Sequence, residues 1–426
     1  MKIFYLSSSI IPSRQANAVH VMQMCQAFAE RGHEVVLFAR MGDEQAVDVH
    51  EVYGVRSCFA IRRHPWPRVR GLGGLLYGRR VRRALSAQRQ PDLFYARDLY
   101  SAFSLGSCGR PMIYEAHSPP ANLLRRSMEG RLFKRAGFRW LVVISGALKT
   151  EYLRLFPDLA PEKVRVAHDG ANDPLRAPGY RAGPGSFKGG EPGTGLPGGR
   201  AFEPQRTLAG GKVGGPAGLV ERTGADQGGS TMSDGRALHV GYVGHLYPGR
   251  GMEVIVELAR GFPEVTFHIV GGAEQDLAHW KAVCQSAANV RFHGFIPHGA
   301  LGSFYKGFDI VLAPYQREVS GPGGKGDTSR WMSPLKVFEY MAHGKPIICS
   351  DMPVLHEVLQ DRTNSLLVDP GDAAAWKAAL AELLASADLR STLGRAARKA
   401  FLERYTWGVR SEYVLEGVLP GSGTGG

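Results

Sequence analysis

Short apolar runs alternate with amphipathic stretches through the first 175 residues. The runs predict β-strands, because a strand covered on both faces of a parallel sheet is apolar throughout. They lie at 3–7, 33–38, 92–96, 112–114, 141–144 and 164–167. Between them, apolar side chains recur at helical spacing, as in residues 18–31, and Ser145 is placed to cap the last helix of this part.

The same alternation restarts after residue 236. Strands are predicted at 239–243, 265–270, 290–293, 309–313, 346–350 and 366–368, with helices between and after them. Strands that alternate with helices indicate a doubly wound parallel sheet. The predicted fold class is therefore α/β, with two Rossmann-like domains, 1–175 and 237–405, whose strand carboxyl ends face a shared cleft.

Two segments fall outside this alternation. Residues 176–236 are dominated by Gly and Pro and lose apolar periodicity, so they are predicted to form a disordered linker. Residues 406–426 are expected to hold a terminal helix, which could cross back to the N-terminal domain, followed by a flexible tail.

Composition narrows the class of protein. A length of 426 residues with 44% hydrophobic residues suits two or three domains with sizeable cores. The N-terminus begins directly with a strand pattern, and no apolar run approaches the roughly 18 residues of a membrane span. The five cysteines are odd in number and lack Cys-x-x-Cys spacing. These features predict a cytoplasmic protein with reduced thiols.

Positive charge is concentrated in the first domain. Residues 1–175 hold 26 Lys and Arg against 15 Asp and Glu, and the whole chain carries +13. The Arg-rich stretches 62–83 and 125–139 interleave with Leu, Tyr and Phe, which suits peripheral contact with an anionic membrane at its inner face; a solvated surface is the alternative. No nucleic-acid-binding module is recognisable, so nucleic acid is not an expected partner.

The stretch from Ser333 to Gly344 carries the first candidate site. Ser333 suits an N-cap, Pro334 the first helical position, and Gly344 the left-handed residue after the helix. Free N–H groups at a helix start bind phosphate, and Lys336 is expected to face the same group. Glu339 lies six residues beyond Ser333, which is roughly 9 Å along the helix axis at about 1.5 Å per residue. At that distance it would reach a ribose. An ordinary capped helix with an exposed Glu is the alternative.

The turn 243–251 supplies a second candidate site. It follows a predicted strand and precedes a helix, and its glycines, Gly244 among them, permit close approach of the backbone. Arg250 places a permanent cation at the carboxyl edge of the sheet, where it would stabilise a departing diphosphate. A strand-to-helix turn with a solvated Arg is the alternative.

Three residues of the first domain are further candidates. His117 follows a strand, at the edge where α/β enzymes place catalytic groups, and could bind a substrate hydroxyl; a structural His is the alternative. On the acceptor side, Asn17 suits the N-cap of the first helix, and His20 on that helix could face the cleft. No metal-ligand cluster, hydrolase-type carboxylate pair or Gly-x-Ser-x-Gly motif is found, so neither a metal nor another cofactor is expected.

Together these stretches resemble the retaining glycosyltransferases of family four, which have the two-domain GT-B architecture. The most specific match is 333–342 followed by 344–348, with support from 29–35 and 242–251. The resemblance implies a nucleotide-diphosphate-sugar donor and hexosyl transfer with retention. By position it implies that Glu339 holds the donor ribose, that Arg250 replaces a diphosphate-binding Lys, and that His117 lies near the transferred sugar.

The resemblance also completes the set of site residues. His117, Arg250 and Glu339 are the predicted catalytic residues, and the predicted donor-binding residues are Gly244, His245, Arg250, Phe295, Ser333, Pro334, Leu335, Lys336 and Glu339. The sequence departs from the family pattern at Trp331, where the family has an acid that meets the donor sugar, and at His245, where an Arg is usual. The acceptor loop, glycine-rich in the family, is here 13–17.

The expected function is metal-independent, retaining transfer of a sugar from a nucleotide-diphosphate-sugar to a glycan or lipid-linked acceptor, as in polysaccharide biosynthesis. Two alternatives stay open at this point. One is a nucleotide-sugar epimerase of related fold, which needs no acceptor. The other is a non-catalytic sugar-nucleotide-binding protein, which the missing acid at Trp331 would suit.

Overall fold

A computed structural model describes residues 1–42, 48–86, 89–106, 108–175, 237–321 and 326–418. The predicted linker 176–236 and the predicted flexible tail 420–426 lie outside this range. The described residues form two α/β domains, each built on a parallel sheet.

The N-terminal domain has a sheet of seven parallel strands. These are β1 (Lys2–Ile11), β2 (Glu34–Met41), β3 (Ala60–His64), β4 (Leu93–Ala96), β5 (Met112–Ala116), β6 (Phe138–Val143) and β7 (Val164–Val166), in the order β3-β2-β1-β4-β5-β6-β7. The connecting helices are α1 (Ala16–Glu30), α2 (Val49–Tyr53), α3 (Gly73–Ser86), α4 (Leu99–Leu105), α5 (Leu123–Phe133) and α6 (Gly146–Leu155). Separate apolar cores cover the two faces: α1 packs on one, and α3 to α6 pack on the other.

The C-terminal domain has a sheet of six parallel strands. These are β8 (His239–Val243), β9 (Thr266–Val270), β10 (Val290–Gly294), β11 (Ile310–Ala313), β12 (Ile347–Ser350) and β13 (Leu366–Val368), in the order β10-β9-β8-β11-β12-β13. Its helices are α7 (Met252–Gly261), α8 (Glu274–Val283), α9 (Gly302–Gly307), α10 (Leu335–Ala342), α11 (Ala373–Ala385) and α12 (Ala387–Arg404). The predicted fold class is confirmed in both domains.

The predicted cap of α10 is wrong. The helix begins at Leu335, with Pro334 at the cap position, and no side chain accepts a hydrogen bond from its first N–H groups. The Ser333 hydroxyl instead accepts a hydrogen bond, at 2.8 Å, from the backbone N–H of Asp169 in the other domain. The tertiary contact therefore uses the hydroxyl that the sequence predicted as the helix cap, and no side chain caps the start of α10.

The predicted cap of α1 is also wrong. Gln15 occupies the cap position, and Asn17 lies inside the first turn, where its carbonyl accepts a hydrogen bond from Arg97 at 3.2 Å. Two other predicted helix ends are confirmed. Ser145 caps α6 by accepting from the N–H of Leu148 at 3.2 Å, and Gly344 follows α10 with φ of +61°.

Hydrogen bonds and an ion pair join the two domains, in addition to the polypeptide that connects them. The Glu357 carboxylate accepts hydrogen bonds from the N–H groups of Gly146 and Ala147, at 2.6 and 3.1 Å, so the C-terminal domain caps α6. Arg398 pairs with Asp173 at 2.5 Å.

The last helix, α13 (Trp407–Leu415), returns to the N-terminal domain and packs beside α1. The Trp140 indole donates a hydrogen bond to the Val414 carbonyl at 3.1 Å, and Arg31 pairs with Glu412 at 2.5 Å. None of the described helices has both the length and the hydrophobicity that a bilayer crossing requires.

Candidate active site

Lys336, in the first turn of α10, is a buried cation without a hydrogen-bond partner. The residue is 8% exposed, and its ammonium group lies 3.9 Å from the centre of the Tyr242 ring and 4.7 Å from that of Tyr315. A Cβ at Gly244 would lie 3.2 Å from this ammonium, and φ at Gly244 is +153°, so a larger residue would be strained as well as crowded. Burial, and then the charge of Arg250, hold the pKa of Lys336 well below its usual range.

Arg250, in the turn between β8 and α7, lies in the same pocket. Its guanidinium is 5.7 Å from the centre of the Tyr315 ring and donates to the Ser320 carbonyl at 3.0 Å, while its Nε makes no hydrogen bond. Among the described residues, no carboxylate forms an ion pair with Arg250 or Lys336. Two cations without a paired carboxylate, beside a helix start that no side chain caps, are the features expected of an anion-binding site.

Glu339, one turn further along α10, is buried and held at both oxygens. One oxygen accepts a hydrogen bond from His298 Nε2 at 2.5 Å, and the other accepts a short hydrogen bond from the Tyr305 hydroxyl. Burial alone would raise the pKa of this carboxyl, but the charge and hydrogen bond of His298 and the Tyr305 hydroxyl lower it. Glu339 is therefore ionised, and each oxygen keeps a lone pair for a further donor.

The remaining predicted donor-binding residues lie in the turn after β8, just after β10 and at the start of α10. The His245 ring stacks on Tyr247 with centres 4.7 Å apart, and burial, followed by the charge of Arg250, lowers its pKa. Phe295, just after β10, is half-exposed, and the guanidinium of Arg14 from the N-terminal domain lies 4.4 Å over its ring. At the start of α10, no side chain accepts a hydrogen bond at the cap before Leu335, and the Ser333 hydroxyl accepts one from the backbone N–H of Asp169.

Across the cleft, Glu115 at the end of β5 is the centre of a buried polar cluster. Its carboxylate lies 2.5 Å from His117 Nε2, 2.8 Å from His20 Nε2, and 3.3 Å from the Arg410 guanidinium of α13. It also accepts a short hydrogen bond from the Tyr95 hydroxyl. Burial opposes ionisation, but Arg410 and then His20 hold the pKa of Glu115 well below its usual range.

His117 is the member of this cluster that keeps access to solvent. Its side chain is 26% exposed, and burial, followed by the charge of Arg97, lowers its pKa to about 4. The imidazole is therefore neutral at pH 7. Because Nε2 donates to Glu115, Nδ1 carries the lone pair and can accept a hydrogen bond from a substrate hydroxyl.

His20 does not face an open cleft, as the sequence suggested, but is buried. Its Nδ1 lies 2.7 Å from Asp169 and its Nε2 faces Glu115, while the Trp407 ring packs edge-on at 5.1 Å. It links the acids that end β5 and follow β7, so it positions groups at the sheet edge.

Within the described chain, the side chains of His20, Glu115 and His117 have the donor atoms of a metal site, all within 4.8 Å of one another. Each of these contacts is already explained by hydrogen bonding or ion pairing around Glu115. The cations Arg97 and Arg410, at 3.5 and 3.3 Å from the same carboxylate, would repel a metal ion. The donor set therefore fits a polar network better than a metal site.

Sequence reasoning missed several members of both clusters. His298, Tyr305, Arg97 and Arg410 have no motif of their own, and the contact of Arg410 with Glu115 joins residues 295 positions apart. The one available signal was the position of His298 three residues after Phe295, which the resemblance placed among the donor-binding residues.

Comparison with known proteins settles the family. A family model described as glycosyltransferase family 4 matches residues 18–173, and one described as glycosyl transferases group 1 matches residues 237–386. Together the two matches span more than half of the chain. The chain belongs to the group 1, family 4 glycosyltransferases.

Two curated relatives of this glycosyltransferase have names that refer to inositol compounds. Phosphatidyl-myo-inositol mannosyltransferase of Mycolicibacterium smegmatis is 28% identical over 183 residues, which is 42% of this chain and 44% of the relative. D-inositol 3-phosphate glycosyltransferase of Corynebacterium urealyticum is 25% identical over 190 residues, 42% of each chain. The chain thus matches less than half the length of these relatives.

Solved structures match this glycosyltransferase over almost its whole length. HepE of Anabaena, in complex with UDP and glucose, aligns with a TM-score of 0.65 at 17% identity and covers 98% of both chains. Sucrose-phosphate synthase of Thermosynechococcus elongatus aligns with a TM-score of 0.62 at 18% identity and covers 97% of both. These similarities show the GT-B fold.

Proposed function

We propose that this glycosyltransferase moves a sugar from a nucleotide-diphosphate-sugar donor to a glycan or lipid-linked acceptor. The observation that carries the proposal is the pair of uncompensated cations, Lys336 and Arg250, beside the start of α10. A diphosphate placed there would neutralise both charges and accept hydrogen bonds from the free N–H groups of the helix. Binding would thus offset the cost of keeping Lys336 buried.

The same residues suit the chemistry of the leaving group. Negative charge grows on the diphosphate as the bond to the sugar breaks, and fixed cations stabilise that charge in the transition state. Lys336 and Arg250 supply the neutralisation that a divalent ion supplies in other transferases. We therefore propose that the reaction needs neither a metal nor another cofactor, and that the nucleotide sugar is a substrate.

Each remaining residue has a role in this scheme. Glu339 accepts hydrogen bonds from the ribose hydroxyls with its free lone pairs, and Phe295 and His245 border the nucleotide. Neutral His117 accepts a hydrogen bond from a hydroxyl of the transferred sugar through Nδ1. Retention of the anomeric configuration is proposed on the family relationship.

The decisive test combines nucleotide binding with turnover. Purified protein is screened with UDP, GDP and ADP by thermal shift, and then with the matching nucleotide sugars for transfer and product anomer by NMR. Glu339→Ala and Arg250→Ala should each abolish donor-dependent turnover in protein that still unfolds in a single cooperative transition. Unchanged turnover in both variants would overturn the site, and isomerised donor without acceptor would favour an epimerase.

A membrane-associated acceptor is supported by the surface of the N-terminal domain. Leu123 and Leu124 at the start of α5 are 81% and 59% exposed, and Leu72 and Leu75 near the start of α3 are 52% and 38% exposed. Helix α4 packs against both α3 and α5, so these ends share one side of the domain, among Arg side chains. Exposed Leu and Arg together suit the surface of an anionic bilayer.

We therefore propose peripheral contact with the inner face of the membrane by a cytoplasmic enzyme. Sedimentation with vesicles of phosphatidylglycerol and phosphatidylcholine should exceed sedimentation with phosphatidylcholine alone. The double variant Leu123→Glu/Leu124→Glu should remain in the supernatant. Equal recovery of both proteins with anionic vesicles would exclude this surface.

A further inference from the structure

His298 bridges the two domains. It lies in the 3-10 turn after β10, and its Nε2 is 2.5 Å from a Glu339 oxygen in the same domain. Its Nδ1 is 3.2 Å from the backbone carbonyl of Tyr53, at the end of α2 in the N-terminal domain. Because a carbonyl and a carboxylate both accept, each ring nitrogen must donate, so His298 makes both contacts only as an imidazolium.

The surroundings of His298 favour that charged form. Burial alone would lower its pKa, but the Glu339 carboxylate and the two hydrogen bonds raise it above the ordinary value. The other ionisable groups around the pair are Tyr305, Lys336 and His343. The pKa of His343 is lowered to about 4 by burial, so this ring is neutral at pH 7.

Tyr53 connects His298 to the loop after β1. Its carbonyl, which accepts from His298, also accepts from the Gln23 side chain at 2.9 Å. Its hydroxyl accepts from the Ser13 N–H at 2.6 Å and donates to the Ser13 carbonyl at 2.8 Å. Tyr53 is 1% exposed, so this side chain holds the loop after β1 in one place.

The loop returns to the nucleotide side of the cleft through Arg14. Its guanidinium lies 4.4 Å over the Phe295 ring, three positions before His298. Beside this contact the backbones of the two domains approach closely, since a Cβ at Gly54 would lie 2.8 Å from the Cα of Gly299. A closed path thus runs from Glu339 through His298, Tyr53 and the loop to Phe295.

We propose that His298 is a positioning residue that couples nucleotide binding at Glu339 to the placement of the N-terminal segment 13–17, which comprises the loop before α1 and the first residues of that helix. The inference rests on the proposed function, in which Glu339 receives the ribose and this loop lines the acceptor side. Ribose hydroxyls that bind the remaining lone pairs of Glu339 hold its carboxylate in the orientation that His298 contacts, and through Tyr53 they fix the loop. The enzyme therefore orders its acceptor side when the donor is bound.

Hydrogen exchange tests this coupling without knowledge of the acceptor. The probe is whichever of UDP, GDP or ADP raises the unfolding midpoint of the wild-type protein. In the wild type, saturating nucleotide should slow amide exchange in residues 13–17 about fivefold or more, which corresponds to about 1 kcal/mol. His298→Gln and His298→Ala should lose this protection, whereas His356→Ala, at an exposed histidine of the same domain, should keep it.

Tyr53→Phe provides the second arm, because it leaves the donor-binding domain intact. It should keep the nucleotide affinity within about twofold and still lose the protection of residues 13–17, since only its bonds to Ser13 are removed. A pH series adds a readout that a purely structural residue would not move. Protection in the wild type should weaken as the pH rises through the raised pKa of His298, and His298→Gln should show no such dependence.

The outcomes separate the two proposals. If a nucleotide binds but residues 13–17 exchange equally with and without it, or if Tyr53→Phe retains the protection, the coupling is wrong and the donor site stands. If none of the three nucleotides binds the wild type, the donor site fails, and the coupling fails with it.

Discussion

The ammonium group of Lys336 lies 3.9 Å from the centre of the Tyr242 ring, and no described group accepts a hydrogen bond from it. A desolvated cation–π contact is worth about 2 kcal/mol. That is less than the cost of burying an ammonium group without a counter-charge. Lys336 therefore destabilises the fold unless an anion lies beside it, which is the behaviour of a binding residue and not of a structural one.

The first prediction follows from this conflict. Lys336→Met should raise the free energy of unfolding of the nucleotide-free protein by about 1–3 kcal/mol, because it removes a buried charge and keeps the volume. The same variant should lose about 10²–10³-fold in kcat/KM for the donor. Urea unfolding and steady-state kinetics measure the two effects. Lys377→Met, at an exposed lysine, is the matched control, and a destabilised Lys336→Met would contradict the argument.

The second prediction concerns protons. The pKa of Lys336 is well below its usual range, and a neighbouring diphosphate would raise it. At pH values above the lowered pKa of the free protein, nucleotide binding should therefore take up protons, and the affinity should fall as the pH rises between the two pKa values. Titration calorimetry with UDP in buffers of different ionisation enthalpy measures the uptake, which should vanish in Lys336→Met. Proton release on binding would refute the assignment.

The third prediction is a flat pH profile for His117. With a pKa near 4 in this site, the imidazole stays neutral from about pH 5.5 upwards, so it contributes no inflection to kcat/KM near pH 6.5. His117→Ala should lower kcat by about 10²-fold across the whole range, because it removes an acceptor of a substrate hydrogen bond. The prediction fails if wild-type activity rises as the pH falls through 6.5 and His117→Ala shows no such rise. That result would mean that the protonated imidazole of His117 contributes to the reaction.

The fourth prediction concerns the ion pair between Glu115 and Arg410. Arg410→Met should destabilise the protein by about 3–5 kcal/mol, because it leaves a buried carboxylate without its principal counter-charge. The pKa of Glu115 is lowered in the folded protein, so its contribution to stability is present above about pH 4.3 and is lost as the pH falls below that value. Urea unfolding between pH 3 and 7 should show a weaker pH dependence in Arg410→Met. A double variant with Glu115→Gln should recover part of the loss.

The sequence predicted both sheets because their central strands are apolar on both faces. It did not predict β3, whose burial alternates and whose residues include two arginines and a histidine. At the edge of a sheet only one face is covered, so the apolar run that marks the inner strands is missing. The short helices α2 and α4 were missed for a related reason, since neither is long enough to show a helical repeat.

The candidate site was predictable where chemistry follows local spacing. Lys336, Glu339 and Arg250 lie on one helix and one turn, and a parallel sheet brings those to the same edge. Ser333 and Asn17 were assigned as caps from local rules that tertiary contacts overrode. The partners of Glu115 and Glu339 come from distant segments, so no local pattern could have named Arg410 or His298.

The return of α13 to the N-terminal domain has a consequence for biosynthesis. The domain that the ribosome makes first acquires its last helix only when the C-terminal domain is nearly finished, since Arg410 must reach Glu115 and Val414 must reach Trp140. Until then the Glu115 carboxylate lacks the guanidinium of Arg410. We therefore expect the nascent first domain to complete its packing only after the second has emerged.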